Sequence, residues 1–481
     1  MIRSKLVEVL KDFSAGERRK FREYVLSPFF NKNKKVRGLC DYLFRYAPDF
    51  DHPDLEKEKV YQVVFEDGNY RELSINNVIS DLLQLLYDFL AYQQYARKTI
   101  VRKNYLLSEL LDREIHHHIE RNARRVHQIL EKSTVQNYEA FLDRYHLCDR
   151  LDQYSLSQGS RGYDENLQLK SDMLDLYFFC NKLRIACDMT SRNTVVNAGY
   201  ECHFLEDIRE YYDNNFHNFQ DIPALQVYHK VLQMLEDNSR QSHYYDLKDL
   251  LAVYGSTFPQ QELRILYNYA LNYCVKQINH GQSAFYKEIF ELYKVLLEGK
   301  IIFKNGYLTQ WSYINIITAG MRLKEYEWTE QFIYTYKEAL LPEEQHNVFT
   351  YNLAAFHFAK GDFNQALKEL HNVEFTDAFY HLAAKMIQLK SYYELDETEP
   401  FFALVEASRK YIARNRQLSD YQRQSYSNFF KIANRIYTLS LRREMLSNTE
   451  FEHQKEQITR FFQNPIPMGN KNWLEKALES I

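Results

Sequence analysis

The segment YNLAAFHFAKGDFNQALKEL, residues 351–370, carries the clearest structural pattern of the sequence. It contains two short helical patterns that meet at Gly361 and Asp362, a pair of residues typical of a turn. Small residues occupy the positions at which two paired helix backbones must approach closely: Ala354, Ala355 and Ala366. The stretch therefore predicts two short helices folded against each other.

The composition of the 481-residue chain extends this prediction to the whole molecule. Glycine (13) and proline (9) are scarce, whereas tyrosine (39) and phenylalanine (32) are abundant. Residues 69–158 contain no glycine and no proline, so tight hairpins would be hard to form there. With 45% hydrophobic residues the chain can build a sizeable core. We predict an all-α protein.

Charge is distributed unevenly along the sequence. Residues 1–37 carry eleven Lys and Arg against four Asp and Glu, although the whole chain has a net charge of −4. This asymmetry is compatible with a surface for nucleic acid or an acidic partner, and equally with the solvated faces of two short helices. The residues that would contact phosphates are Arg18, Arg19, Lys20, Arg22, Lys32, Lys34, Lys35 and Arg37.

Signals of a particular cell compartment or metal site are missing from the sequence. The six cysteines are scattered and form no C-x-x-C pair, which argues against a zinc site. The N-terminal residues lack the pattern of a signal peptide, and no apolar run approaches the length of a membrane span. We expect a cytoplasmic protein with no membrane partner.

Catalytic motifs are equally absent. The sequence contains no glycine-rich phosphate loop, no G-x-S-x-G and no H-E-x-x-H. His116, His117 and His118 are consecutive, and consecutive helical residues point about 100° apart, so the three cannot share one metal ion. We expect no enzymatic activity, no cofactor and no metal.

A repeat period appears in the C-terminal half. Lys324-Glu325-Tyr326 aligns with Gly361-Asp362-Phe363 at an offset of 37 residues, and a looser third copy covers residues 388–408. Residues 351–370 resemble a tetratricopeptide repeat, with the following matches: Asn352-Leu353-Ala354 in the first helix, Gly361-Asp362-Phe363 at the turn, and Ala366 and Leu370 in the second helix. Residues 311–342 match in part, with Thr329 at the position of the small alanine.

The resemblance implies an α-α solenoid, a tetratricopeptide-like superhelix whose concave face binds a peptide. Asn315 and Asn352 match the position at which such grooves hydrogen-bond a ligand backbone, so the resemblance implies them, with Tyr351, as groove residues. Alternatively, these side chains only link neighbouring helices.

We predict four regions along the chain. They are a small helical domain with basic N-terminal helices at 1–95, a long-helix middle at 96–220, tetratricopeptide-like repeats at 221–445 and C-terminal capping helices at 446–481. The last helix should dock on the preceding repeat through an apolar stripe formed by Trp473, Leu474, Ala477, Leu478 and Ile481.

The expected function is non-enzymatic: a scaffold that binds a protein or peptide in the concave face of the array. The alternative is a nucleic-acid-associated regulator, in which the basic helical N-terminal domain contacts phosphates while the array senses a partner. An enzyme with an unfamiliar site is the third hypothesis.

Overall fold

The computed structural model describes residues 4–65, 69–196, 199–371, 378–415, 418–463 and 466–481. In these ranges the chain forms 24 α-helices and no β-strand. The predicted all-α class is therefore confirmed. The chain divides into two compact units, Met1–Ile185 with His203–Leu225, and Ala186–Cys202 with Gln226–Ile481. The four smaller regions stay a prediction.

The first unit is built mainly from the first eleven α-helices of the described residues. They are α1 Lys5–Lys11, α2 Ala15–Leu26, α3 Lys34–Leu43, α4 Lys57–Phe65, α5 Glu72–Arg97, α6 Thr99–Asp112, α7 His116–Lys132, α8 Tyr138–Ser157, α9 Glu165–Val196, α10 Leu205–Asn214 and α11 Phe216–Phe219. The long helix α9 contributes residues to both units.

Local sequence signals set the ends of α2. Ser14 and Glu17 form a capping box, in which the Ser14 hydroxyl accepts from the Glu17 amide and the Glu17 carboxylate accepts from the Ser14 amide. The helix ends at Leu26, two residues before Pro28. Proline lacks the N–H that a continuing helix needs and restricts the residue before it, so α2 stops here.

Helix α5 organises the N-terminal core. Its buried face consists of Ile75, Val78, Leu82, Leu86 and Phe89 at helical spacing. This face packs against α1, α2, α3 and α4, each of which is too short to bury its own apolar side alone. Helices α6, α7 and α8 pack against one another around a separate small core that contains Leu107, Ile119, Val126, Leu130 and Leu147.

The second unit continues as helices joined by short turns. They are α12 Pro223–Glu236, α13 Ser242–Tyr254, α14 Gln260–Asn279, α15 Phe285–Glu298, α16 Gln310–Arg322, α17 Tyr326–Thr335, α18 Pro342–Lys360, α19 Phe363–His371, α20 Ala378–Glu394, α21 Thr398–Arg414, α22 Asp420–Leu441, α23 Asn448–Gln463 and α24 Lys471–Glu479. From α13 to α22 each helix packs on the next one in the chain.

Three successive helix pairs share one turn geometry. Lys324, Gly361 and Asp396 all adopt a left-handed backbone, with φ of 60°, 90° and 53°. In each pair the next amide donates to the carbonyl five residues earlier, at 2.9 Å: Glu325 to Gly320, Asp362 to His357 and Glu397 to Tyr392. In addition, α16 contacts α18 and α18 contacts α20. These packed helix pairs are compatible with a helical repeat array.

The C-terminal helix docks as the sequence predicts. Helix α24 packs on α22 and α23, and Leu474 and Leu478 are buried. The ring of Trp473 lies 5.2 Å from that of Tyr393 and 6.0 Å from that of Phe429. The apolar stripe therefore completes the core at this end of the second unit.

Candidate functional site

The predicted groove residue Asn352 lies inside the protein. Its side chain is 2% exposed, and its Nδ2 donates to the Val348 carbonyl of its own helix at 2.7 Å. Helix α18 packs against α16, α17, α19 and α20, which cover most of its surface. In this position the Asn352 side chain is not accessible to a bound peptide, and its hydrogen bond is made within α18.

The other two groove candidates differ in exposure. Asn315 is exposed on α16 and forms a side-chain hydrogen bond with Tyr293 of α15. Tyr351 is half-buried, with its ring 5.5 Å from that of Tyr380 in α20, and burial raises the pKa of its hydroxyl. The sequence period places Asn315 and Asn352 at equivalent positions, but packing leaves only Asn315 on the surface.

Half of the predicted phosphate-binding residues make contacts within the fold. Each of these four cations already has a protein partner: Arg18 Nη1 donates to the Phe13 carbonyl at 2.6 Å, Arg22 Nε to Asp41 Oδ1 at 2.6 Å, Arg37 Nη2 to the Asn31 carbonyl, and Lys35 Nζ lies 4.2 Å from the Phe65 ring centroid. These contacts link α2, α3 and their connections, and of the four only Arg22 has a carboxylate as its partner.

The other four basic residues point to solvent. Arg19 makes a loose pair with Glu23, with 3.9 Å between Nε and Oε1, and both side chains are largely exposed. Lys20, Lys32 and Lys34 are exposed as well. The role of the eight residues as phosphate contacts stays a prediction.

A surface that the sequence did not indicate lies beside these helices. We call it the aromatic surface, and it consists of Tyr24, Phe29, Phe30, Tyr92, Tyr95 and Tyr105. Phe29 is 86% exposed and Tyr105 is 63% exposed, values unusual for such large side chains. The residues come from α2, the α2–α3 connection, the end of α5 and the start of α6.

The rings of the aromatic surface follow one another in contact. Phe30 stacks on Tyr24 with 4.0 Å between centroids and 20° between planes, and Phe29 meets Phe30 edge-on at 5.0 Å. The centroid distances continue at 5.8 Å from Phe30 to Tyr92, 6.4 Å from Tyr92 to Tyr95 and 6.0 Å from Tyr95 to Tyr105. Such distances are those of favourable aromatic pairs, so the rings hold one another in place.

Asn31 fixes the loop that carries the two phenylalanines. Its side chain is buried, its Nδ2 donates to the Val25 carbonyl at 3.0 Å, and its Oδ1 accepts from the Asn33 amide at 2.9 Å. Since Asn31 is turned inward, Phe29 and Phe30 are left on the outside. Two adjacent phenylalanines in a proline-containing loop between basic helices are the sequence signal that could have revealed this surface.

A cavity of about 410 Å³ opens between α2 and α5 at this surface. Its lining combines aromatic and charged groups: Lys20, Glu23, Tyr24, Phe89, Tyr92, Gln93, Ala96 and Arg97. Burial, followed by the negative charge of Asp88, raises the pKa of Tyr24, which keeps its hydroxyl protonated. Its charged lining consists of two cations, Lys20 and Arg97, and one carboxylate, Glu23.

No family model, no curated protein and no solved structure matches this chain. Within the described ranges, no group of three or more His, Cys, Asp or Glu side chains is placed to hold a metal ion. None of the described helices is both long and apolar enough to cross a membrane. The aromatic surface and the cavity beside it are therefore the features that bear on function.

Proposed function

We propose that this protein is a non-enzymatic helical scaffold that binds a partner protein, and that the partner docks on the aromatic surface. The observation that carries the proposal is the row of six neighbouring rings in the first unit, five of them exposed and one, Tyr24, half-buried. Folded proteins seldom leave a contiguous apolar patch bare unless it meets another molecule.

The aromatic surface has the composition of an interface centre. Tyrosine and phenylalanine are enriched at protein interfaces because each buries a large area with few rotatable bonds. Covering an exposed side chain such as Phe29 contributes roughly 1.5–3 kcal/mol. The stacked rings of Tyr24 and Phe30 are already held in place, which limits the entropy lost on binding.

Charge complementarity defines the partner segment. Lys20 and Arg97 outnumber the carboxylate of Glu23 in the cavity lining, and Arg102 and Lys103 follow in the sequence. The segment that fits is one that carries acidic residues beside apolar ones. Acidic side chains would accelerate association with the basic rim, and apolar side chains would supply the affinity at the rings.

The helix pairs of the second unit serve as additional binding surface in this proposal. A tetratricopeptide-like superhelix would present Asn315, together with the exposed Trp311 one turn earlier on α16. Tyr351 would contribute only the part of its ring that Tyr380 leaves accessible. Stacked helical pairs suit such a role because they form an extended surface.

Association with single-stranded nucleic acid is the second candidate function. It is favoured by the presence of Lys20 and Arg97 in the same cavity as Tyr24 and Tyr92. Single strands bind proteins through bases stacked on aromatic rings and phosphates paired with nearby cations. In this case the phosphates would pair with Lys20 and Arg97. Arg18 and Lys35 are less suited because they have partners in the fold.

The test compares a Phe29→Ala/Phe30→Ala double variant with Leu73→Ala. Leu73 is also exposed on α5 but lies at its other end, so it serves as a matched control. Partners captured from the native host are identified, purified and titrated against each variant. We expect the double variant to bind at least about tenfold more weakly, and Leu73→Ala to bind as the wild type does.

Equal affinity of the wild type and the double variant for every purified partner would refute the aromatic surface as the docking site. The second candidate is tested with a fluorescent single-stranded oligonucleotide over a salt series. Retention that falls steeply with salt, and that Lys20→Gln/Arg97→Gln abolishes, would replace protein binding by nucleic-acid binding.

A further inference from the structure

Helix α9 has two apolar faces, and the fold covers only one of them. On the covered face Cys180 and Leu183 are buried. On the opposite face Leu167 is 53% exposed, Leu174 46% and Phe178 43%. Helices that are apolar on both sides are normally buried on both sides, so this pattern indicates that a further element covers the second face.

The uncovered side chains follow the spacing of a helix-pairing seam. We call the exposed row of Leu167, Ser171, Leu174 and Phe178 the α9 seam. Its members follow one another at intervals of four, three and four residues, which keeps them in line along about three turns. Coiled-coil helices pair through rows with this spacing, because a narrow apolar stripe then faces the partner helix throughout. The occupant that fits the α9 seam is therefore another helix lying along it.

The α9 seam is symmetric about its centre. Leu167 and Phe178 are equally far from the midpoint between residues 172 and 173, and so are Ser171 and Leu174. When two identical helices run antiparallel about this midpoint, Leu167 of one copy meets Phe178 of the other, and Ser171 meets Leu174. The small serine leaves room for the leucine, so the two rows can interdigitate.

The charges beside the α9 seam suit a copy of the same helix. Lys170 and Tyr177 flank it on one side, and Gln168 and Asp175 on the other. In an antiparallel pair Asp175 lies near Gln168 of the second copy and Lys170, whose charge is already paired on α8, lies near Tyr177, so no like charges meet. Residues 167–182 contain two lysines and two aspartates, and this balance offers no net charge to a nucleic acid or a strongly charged protein.

We propose that two copies of this chain associate through an antiparallel pair of α9 helices, with the α9 seam of each copy packed on that of the other. Twofold pairs are the commonest form of self-association, since one surface serves both copies. An interface of this size is small, so we expect a dissociation constant of roughly 1–100 µM. The α9 seam shares no residue with the aromatic surface, and self-association is therefore independent of partner docking.

Sedimentation equilibrium of the full chain, from about 1 to about 200 µM, measures the association. Leu174→Glu places a carboxylate in the α9 seam of each copy and should weaken association by at least about tenfold. Val253→Glu is the matched control, a charge at an exposed apolar position of α13, and should leave association unchanged. Thermal unfolding at low concentration should be alike for the three proteins, because neither replaced side chain is buried.

A charge pair tests the antiparallel register. Position 171 faces position 174 of the second copy, so Ser171→Lys/Leu174→Glu brings opposite charges together at two places. We expect the double variant to associate about three- to tenfold more tightly than Leu174→Glu. Ser171→Lys alone should not strengthen association, which separates a specific pair from a general effect of positive charge.

Three results would overturn the proposal: a wild type that stays monomeric over the whole range, association that Leu174→Glu leaves unchanged, or no recovery in the double variant. A monomeric wild type that captures a different host protein, and loses it in Leu174→Glu, would assign the α9 seam to that protein instead. The Phe29→Ala/Phe30→Ala variant should associate as the wild type does, so a failure of partner docking would leave this test intact.

Discussion

Gly320 and Thr329 lie in direct contact where α16 packs on α17. A methyl group on Gly320 would be 2.1 Å from Thr329 Oγ1 and 3.3 Å from its Cβ. Thr329 is fully buried, and its Oγ1 donates to the Glu325 carbonyl at 2.6 Å, so it cannot simply turn away. The closeness of these two helices depends on glycine at position 320.

Gly320→Ala should therefore destabilise the protein by about 1–3 kcal/mol through overpacking. The second substitution Thr329→Ala, which removes the clashing oxygen, should recover part of that loss. Urea unfolding of the two single variants and the double variant measures the coupling. Strictly additive effects would show that the two residues do not compete for the same space.

The turn glycine between α18 and α19 should tolerate alanine poorly. Gly361 has φ of 90°, a conformation that costs an L-residue roughly 1 kcal/mol, so Gly361→Ala should lower the unfolding free energy by about that amount. Gly38 supplies the control, because it lies within α3 and an added Cβ meets nothing within 4 Å. Gly38→Ala should raise the unfolding free energy by about 0.5–1 kcal/mol. If both substitutions changed the unfolding free energy in the same direction, the backbone conformation at Gly361 would not be the cause.

Asp143 should make stability depend on pH. Its pKa of about 6 in the folded state exceeds the ordinary value of 3.8, so the folded state binds more protons between these values and stability falls as pH rises through that window. Asp143→Asn should thus stabilise the protein at pH 7, by about 1 kcal/mol after allowing for solvent screening. At pH 4 the gain should nearly vanish.

Thermal unfolding over pH 4–8 measures this effect. In Glu139→Gln, the NMR titration of Asp143 should shift to lower pH, because one of the two causes of the raised pKa is removed. An undiminished gain for Asp143→Asn at pH 4 would show that packing, and not ionisation, is responsible.

Deleting the segment after Gln463 should expose the core that α24 covers. Leu474 and Leu478 leave with it, and Trp473 no longer packs on Tyr393 and Phe429. We expect a lower melting temperature and aggregation on size-exclusion chromatography, since a contiguous apolar patch becomes solvent-exposed. Glu479→Gln, an exposed change in the same helix, should behave as wild type; a soluble truncation with unchanged melting would contradict the docking role.

Replacing Phe29 and Phe21 by alanine should change the unfolding free energy by very different amounts. Phe29 is 86% exposed, so Phe29→Ala should change the unfolding free energy by less than about 0.5 kcal/mol. Phe21 is fully buried in the same helical region, and Phe21→Ala should cost about 3–5 kcal/mol. Chemical denaturation of both variants tests the claim that the aromatic surface is available for binding and contributes little to the fold.

Much of the helical framework could be predicted from local patterns. The Ser14 and Glu17 cap, the end of α2 before Pro28, and the pair of helices around Gly361 depend on neighbours a few residues away. The sequence indicates a turn at Lys324 only because this residue aligns with Gly361 at an offset of 37 residues. Lysine at such a position carries no signal of its own, because L-residues rarely adopt this backbone.

The helical class, several helix ends and the apolar stripe of α24 can be read from the residues alone, because they follow from short-range periodicity and capping. The burial of Asn352, the exposure of Asn315 and the contacts of Arg18 and Arg22 within the fold follow instead from how the helices pack. Packing also brings Phe30, Tyr92 and Tyr105 together from separate segments. Exposure and proximity depend on which helices pack against each face, and a single sequence does not contain those long-range contacts explicitly.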